Sequence, residues 1–196
     1  MLLILAATTM LAQQWQAGAA KVDITPEGPI WMAGYAARTK PSEGVLIPLH
    51  AKALAIDDGK KGRVVFVTTD IIGYPKSVAE EIAIAALKQY KLERSQLVLN
   101  ASHTHSGPVV WPNLATMYFL SDRDRLNVEV FTRKLVSQVI DLIGQSIANL
   151  KPAQIEYATG QANFGMNRRK PTPDGIKNSP HPQGPTDHSV PTLKVM

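Results

Sequence analysis

"SQLVLNASHTHSGP", residues 95–108, is the stretch on which the fold turns. Its first eight residues, Ser95 to Ser102, form a short apolar run bounded by polar residues, too short for a helix and best read as an interior strand. Just upstream, Val78, Ile82, Ala85, Ala86 and Tyr90 recur at helical spacing, so one face of a helix is expected to be buried. Ser77 followed by Glu80 has the spacing of a capping box, which satisfies the orphan amides of a first helical turn. Before that helix lies "RVVFVTTD" (63–70), another strand-like run. Strand, helix, strand is the unit that builds a parallel or mixed sheet with helices packed on it.

Working outward, "AKALAID" (51–57) joins 63–70 through Asp58-Gly59-Lys60-Lys61-Gly62, a hairpin signal because Asp-Gly supplies the positive φ angles of a tight turn. "AAKVDI" (19–24) alternates weakly and must end at Thr25-Pro26-Glu27-Gly28-Pro29. A longer helix is expected from about Asp124 to Leu150. Its stripe is Leu126, Val130, Leu135, Val139, Leu142, Ile143, Ile147 and Leu150, and Lys151-Pro152 stops it. "AQIEYATG" (153–160) reads as a strand, residues 165–191 as a long aperiodic loop, and "VPTLKVM" (190–196) as a final strand with nothing after it to close the sheet. The expected class is α/β, a mixed β-sheet flanked by helices and incomplete at its C-terminus.

Composition narrows the function. The 196 residues are 44% hydrophobic and 19% charged, enough to bury one sizeable core. The net charge of +5 could suit an anionic partner. The basic residues are scattered, however, and the densest group, Arg168-Arg169-Lys170, has no interleaved aromatics to stack on bases, so nucleic acid is not an expected partner. With no cysteine, disulfides, thiolate catalysis and Cys-type zinc sites are excluded, and any metal must be held by His, carboxylate, Tyr or water. "MLLILAATTMLAQQ" is an apolar opening close in length to a signal-peptide core, although no Lys or Arg precedes it. Residues 1–16 are therefore expected to be a signal peptide and leader, and the protein secreted or periplasmic. Nothing later reads as a transmembrane helix.

The chemistry gathers around the two histidines. If 95–102 is a strand, His103 and His105 sit at its carboxyl end, where open α/β sheets bind ligands, and residues two apart project to the same side. Two such imidazoles can bind a metal, or one can bind it while the other meets substrate; the bland alternative is a solvated turn. Gly107-Pro108 turns the chain away and leaves the place open. Ser106-Gly107-Pro108 after the pair excludes a metallo-β-lactamase-type ligand run, and neither Ser102 nor Ser106 sits in a Gly-X-Ser-X-Gly elbow. Asp70, at a neighbouring strand end, could orient an imidazole or cap the next turn. Asn167-Arg168-Arg169 could hold an oxyanion or a substrate hydroxyl, or be a solvated basic turn. Asp187 with His188 is a weak second pair, and His50 and His181 are left as loop residues.

The blocks "AGAAKVDITP" (17–26), "MAGYA" (32–36), "RVVFVTTD", "NASHTHSGP" (100–108), "NLKPAQIEYATG" (149–160) and "NRR" (167–169) occur in the order and approximate spacing of the N-terminus of neutral/alkaline non-lysosomal ceramidases. The chain resembles that family from about Ala17 onward. The resemblance implies that residues 17–196 are the N-terminal part of a catalytic domain, a fragment of a longer zinc-dependent amidase that cleaves ceramide, or a related N-acyl lipid, to a sphingoid base and a fatty acid. It makes His103 a Zn2+ ligand, and His105 and Arg168 catalytic contacts to the substrate near the scissile amide. It also carries a membrane surface as a partner through the substrate. The family's remaining zinc ligands and catalytic serine are expected beyond Met196. The contrasting readings are a secreted non-catalytic module or truncated inactive relative, and a metal-dependent hydrolase of another class.

Overall fold

The computed structural model describes residues 15–60 and 62–196. Of the expected leader, residues 1–14 lie outside the described residues, while Trp15 and Gln16 belong to the first strand. The chain divides into two compact units, one running to Pro152 and the other from Ala153 to Met196.

The first unit holds β1 (Trp15–Asp23), β2 (His50–Asp57), β3 (Val64–Thr69), α1 (Lys76–Tyr90), β4 (Leu97–Ala101) and α2 (Asp122–Ala148), and β5 (Lys151–Ala153) forms where the chain leaves it. The sheet order is β4-β3-β2-β1-β5. β1–β2 and β2–β3 are antiparallel, whereas β3–β4 is parallel with Val65 opposite Leu97, as the strand-helix-strand order requires. The sheet is thus mixed, with two helices packed on it, as expected. Alternation decides which face they cover: Ala51, Ala53 and Ala55 of β2 and Val65, Val67 and Thr69 of β3 are buried, while Phe66 and Val98 on the other face are exposed. Small alanines on β2 let α2 lie close. Closer still is Gly18, where a Cβ would stand 2.2 Å from the Ser146 carbonyl oxygen. Asn149 and Gln138 of that helix region donate to the carbonyls of Ala19 and Asp23, tying α2 along β1.

Several expectations are corrected. β4 is an edge strand, not an interior one, in the described sheet; its pattern of one buried residue followed by exposed and half-buried ones reflects a neighbour on one side only. The capping box at Ser77 does not form, because α1 begins earlier, with Pro75 in extended conformation at the cap and no side-chain cap bond. Leu126 and Val130 are exposed, since the buried face of α2 runs through Val128, Phe131, Leu135, Val139, Leu142 and Ile143, and residues 126 and 130 point the other way. That helix is capped by the Ser121 hydroxyl, which accepts from the Asp124 amide, and it ends at Ala148 instead of Leu150. His50 opens β2 and is not a loop residue.

The second unit pairs β6 (Ile155–Gln161) with β9 (Ser189–Val195) antiparallel, Ile155 opposite Val195. The supposed aperiodic loop contains a hairpin, β7 (Arg169–Thr172) with β8 (Gly175–Asn178), turning at Pro173-Asp174 and entering β8 at Gly175, which has φ +104°. Asp-Gly was the available signal; the prolines on either side masked it.

Candidate functional site

Beyond Ala101 the chain leaves β4 but remains tethered, since the Ser102 amide donates to the Thr69 carbonyl at 3.0 Å. His103 then adopts φ +56°, a left-handed conformation rare for a residue with a Cβ, so the surrounding structure must hold it there. One clamp is visible. His103 Nδ1 lies 2.8 Å from the Ile72 carbonyl oxygen, and because a carbonyl can only accept, Nδ1 carries the proton and Nε2 presents its lone pair. A metal-ligating histidine is held in this way, its distal N–H given to a carbonyl so that the ligating nitrogen is basic and aimed.

His105 stands against His103, the ring centroids 5.1 Å apart at 67°, so the two imidazoles lie on one side as their spacing predicts. Ser102, Thr104 and Ser106, the alternate positions, instead line a cleft of about 670 Å³ whose wall is mostly apolar, including Ile30, Met32 and Val45 to Leu49. His105 Nδ1 is buried with no hydrogen-bond partner among the described residues. A buried lone pair is tolerated better than a buried orphan N–H, which places the His105 proton on Nε2 and makes that nitrogen a donor.

A distant segment completes the surroundings. Residues 31–33 run antiparallel to 107–109: the Val109 amide donates to the Trp31 carbonyl at 3.0 Å, the Ala33 amide to the Gly107 carbonyl at 2.9 Å, and Met32 bridges Pro108. This register sets Gly34 directly behind the His105 ring. Gly34 has φ +101°, and a Cβ there would fall 2.4 Å from His105 Cγ, so only glycine leaves room. Its amide donates to the Tyr118 hydroxyl at 3.1 Å. Next, the Tyr35 ring meets His105 edge-on at 4.9 Å, and the Arg38 guanidinium sits 5.3 Å from the Tyr35 centroid. Sequence reasoning gave Tyr35 and Arg38 no role. "MAGYA" stands out as a block in the sequence, but nothing local ties it to residues 103–108.

The other candidates resolve into ordinary bonds. Asp70 does not orient an imidazole; its Oδ2 accepts the His50 amide at 3.0 Å. Asp187 accepts the Ser189 amide, which holds its carboxyl below the usual range, and His188 Nδ1 bonds the Ala162 carbonyl, so the two do not form a working pair. Behind the Ile72 clamp, Tyr74 is half-buried and hydrogen-bonded to Thr69, and desolvation of its phenol pushes it up to about 12. Arg168 is in the second unit, exposed, with Nε donating to Asn178 Oδ1 at 3.0 Å. Asn167 braces the same loop, accepting from the Arg169 amide and donating to the Pro185 carbonyl.

His103 fits one position of a zinc shell. The described residues contain no group of three or more His, Cys, Asp or Glu able to hold a metal, whereas catalytic zinc takes three protein ligands, so they do not make up a full shell.

Residues 15–173 match the family model described as neutral/alkaline non-lysosomal ceramidase, N-terminal. The chain is 29% identical over 187 residues to a neutral ceramidase of Pseudomonas aeruginosa, the match taking in 91% of this chain and 27% of that protein. It is 29% identical over 172 residues to neutral ceramidase 3 of Arabidopsis thaliana, covering 83% and 22% respectively. The crystal structure of the Pseudomonas aeruginosa neutral ceramidase superposes with a TM-score of 0.66 at 24% identity, over 81% of this chain and 25% of that one. A ceramidase complexed with C2 superposes equally well at 23% identity, with the same coverage, which speaks to the fold. The chain spans about a quarter of the length of the relatives it matches.

Proposed function

This chain belongs to the neutral/alkaline non-lysosomal ceramidase family, and on that footing we propose that it carries part of the machinery of a zinc-dependent hydrolase that cleaves the N-acyl amide of ceramide, or a related N-acyl lipid, to a sphingoid base and a fatty acid. The observation that carries the reading is the His103 ring, its Nδ1 proton given to Ile72 and its Nε2 lone pair presented beside His105. In this reading His103 holds zinc through Nε2, and zinc supplies Lewis-acid polarisation of the amide carbonyl. His105, protonated on Nε2, donates to the carbonyl oxygen as negative charge develops there. Arg168 contributes a guanidinium that contacts the substrate, with Nε spent on Asn178. The apolar cleft of Ile30, Met32 and Val45 to Leu49, which adjoins the 102–106 segment without being lined by either histidine, is of a kind that suits an aliphatic chain. A secreted or periplasmic location and a lipid surface as the source of substrate belong to the same proposal.

Fatty-acid release from acyl-labelled ceramide by the longer enzyme that contains this chain tests it. Release is expected to stop on chelation, return with zinc, and be lost in His103→Ala; His105→Ala should lower kcat about 10²–10³-fold, the usual loss for one oxyanion donor. Full activity in His103→Ala would overturn the assignment. The second reading, a non-catalytic module, draws on the lack, among the described residues, of any group of three or more His, Cys, Asp or Glu able to hold a metal; it is favoured if the longer enzyme binds ceramide without turnover.

A further inference from the structure

Arg38 holds His105 at both ends. Its Nη2 donates to the His105 carbonyl at 2.6 Å, across 67 positions of sequence. Its guanidinium also packs on the Tyr35 ring, whose edge-on contact with the imidazole sets that ring's angle. The arrangement is costly to keep. Among the described residues, the buried Arg38 Nε has no hydrogen-bond partner and no carboxylate forms an ion pair with this guanidinium. Arg38 as a whole is half-buried, but a buried N–H without an acceptor is destabilising, and such costs persist where surrounding structure serves a site. The neighbouring strain at His103, φ +56°, lies in the same loop.

We propose that Arg38 is a positioning residue: by clamping the His105 carbonyl and stacking on Tyr35, it fixes the direction of the His105 ring relative to His103. The consequence for amide hydrolysis rests on the function proposed above; the geometric claim does not. A planar guanidinium can donate in its plane and stack on its face at once. Lysine, a point charge on a flexible stem, cannot do both.

Two readouts on the full chain separate the claims. In NMR spectra with assigned histidine rings, the native protein should show Overhauser contacts from His105 to both Tyr35 and His103. In Arg38→Ala and Arg38→Lys these contacts should vanish and the His105 ring signals move toward those of an unstructured histidine, while the His103 signals and far-UV circular dichroism stay native. Persistence of the contacts in Arg38→Ala, or their restoration by lysine, overturns the proposal. If Arg38→Ala loses the fold, Arg38→Lys, which keeps stem and charge, decides it on the same contacts. In the ceramide assay, kcat should fall roughly 10–100-fold with KM changed less than about threefold, the scale expected of a reacting group misplaced by about 1 Å. Ceramide turnover absent from the longer enzyme with native Arg38 refutes the hydrolase and leaves the ring contacts to judge Arg38.

Discussion

Replacing Gly34 by alanine tests the packing on which the site depends. Two effects act together. The backbone at φ +101° is disfavoured for any residue with a Cβ and costs about 1–3 kcal/mol to hold. The new methyl would stand 2.4 Å from His105 Cγ and 2.6 Å from both Cβ and Nδ1, so the ring must retreat by about 1 Å, an overpacking that costs a further 1–3 kcal/mol or so. For a chain of this size each kcal/mol lowers Tm by roughly 2–4 °C, giving an expected drop of about 5–20 °C in thermal unfolding followed by circular dichroism. The Overhauser contact between Tyr35 and His105 should weaken in the same variant. Gly28→Ala, with nothing within 4 Å of the added carbon, is the control and should be near neutral. A Tm within about 2 °C of native, with the His105 ring contacts intact, would show that the ring does not occupy the space behind Gly34 and would refute the reasoning.

The buried Thr132 hydroxyl accepts the Trp111 amide at 2.8 Å and donates to the Val128 carbonyl at 2.7 Å. Thr132→Val keeps the shape and strands that amide, so urea unfolding should show a loss of about 1–3 kcal/mol, and a change under 0.5 kcal/mol would contradict the bond. Tyr74 sets an alkaline limit. Its phenol, raised chiefly by burial and partly offset by the Thr69 bond, holds its proton up to about 12 in the folded state, while the unfolded chain releases it near 10. The unfolded state then binds fewer protons, so this contribution is whole below about pH 10 and is lost as pH rises toward 12, on the order of 3 kcal/mol in all. Tyr74→Phe should flatten that limb of the stability–pH curve; an unchanged slope would mean the phenol is not withdrawn from water.

What could be read from the amino acids alone follows from local periodicity and turn chemistry. The β2–β3 hairpin was legible because Asp58-Gly59 supplies the turn, Gly59 taking φ +72° and the Asp58 carboxylate binding the amides of Lys60 and Gly62. The β3–α1–β4 unit was legible because its apolar period changes from two to near four and back. That His103 and His105 stand together was suggested by their spacing of two, although the strand ends at Ala101 and His103 is left-handed, so strand alternation is not what pairs the rings. Tertiary structure alone decided the rest. Whether β4 has one neighbour or two depends on strands elsewhere, and the face of α2 that is buried is chosen by β1 and β2, which left Leu126 and Val130 outside. The β7–β8 hairpin needed a pairing that prolines obscure. The surroundings of His105 depend on a register between residues 31–33 and 107–109, more than seventy positions apart. No local pattern encodes that register, because it is set by which backbone amides find carbonyls once the core has closed. It brings Gly34, Tyr35 and Arg38 onto an imidazole that the sequence had already placed at the end of a strand.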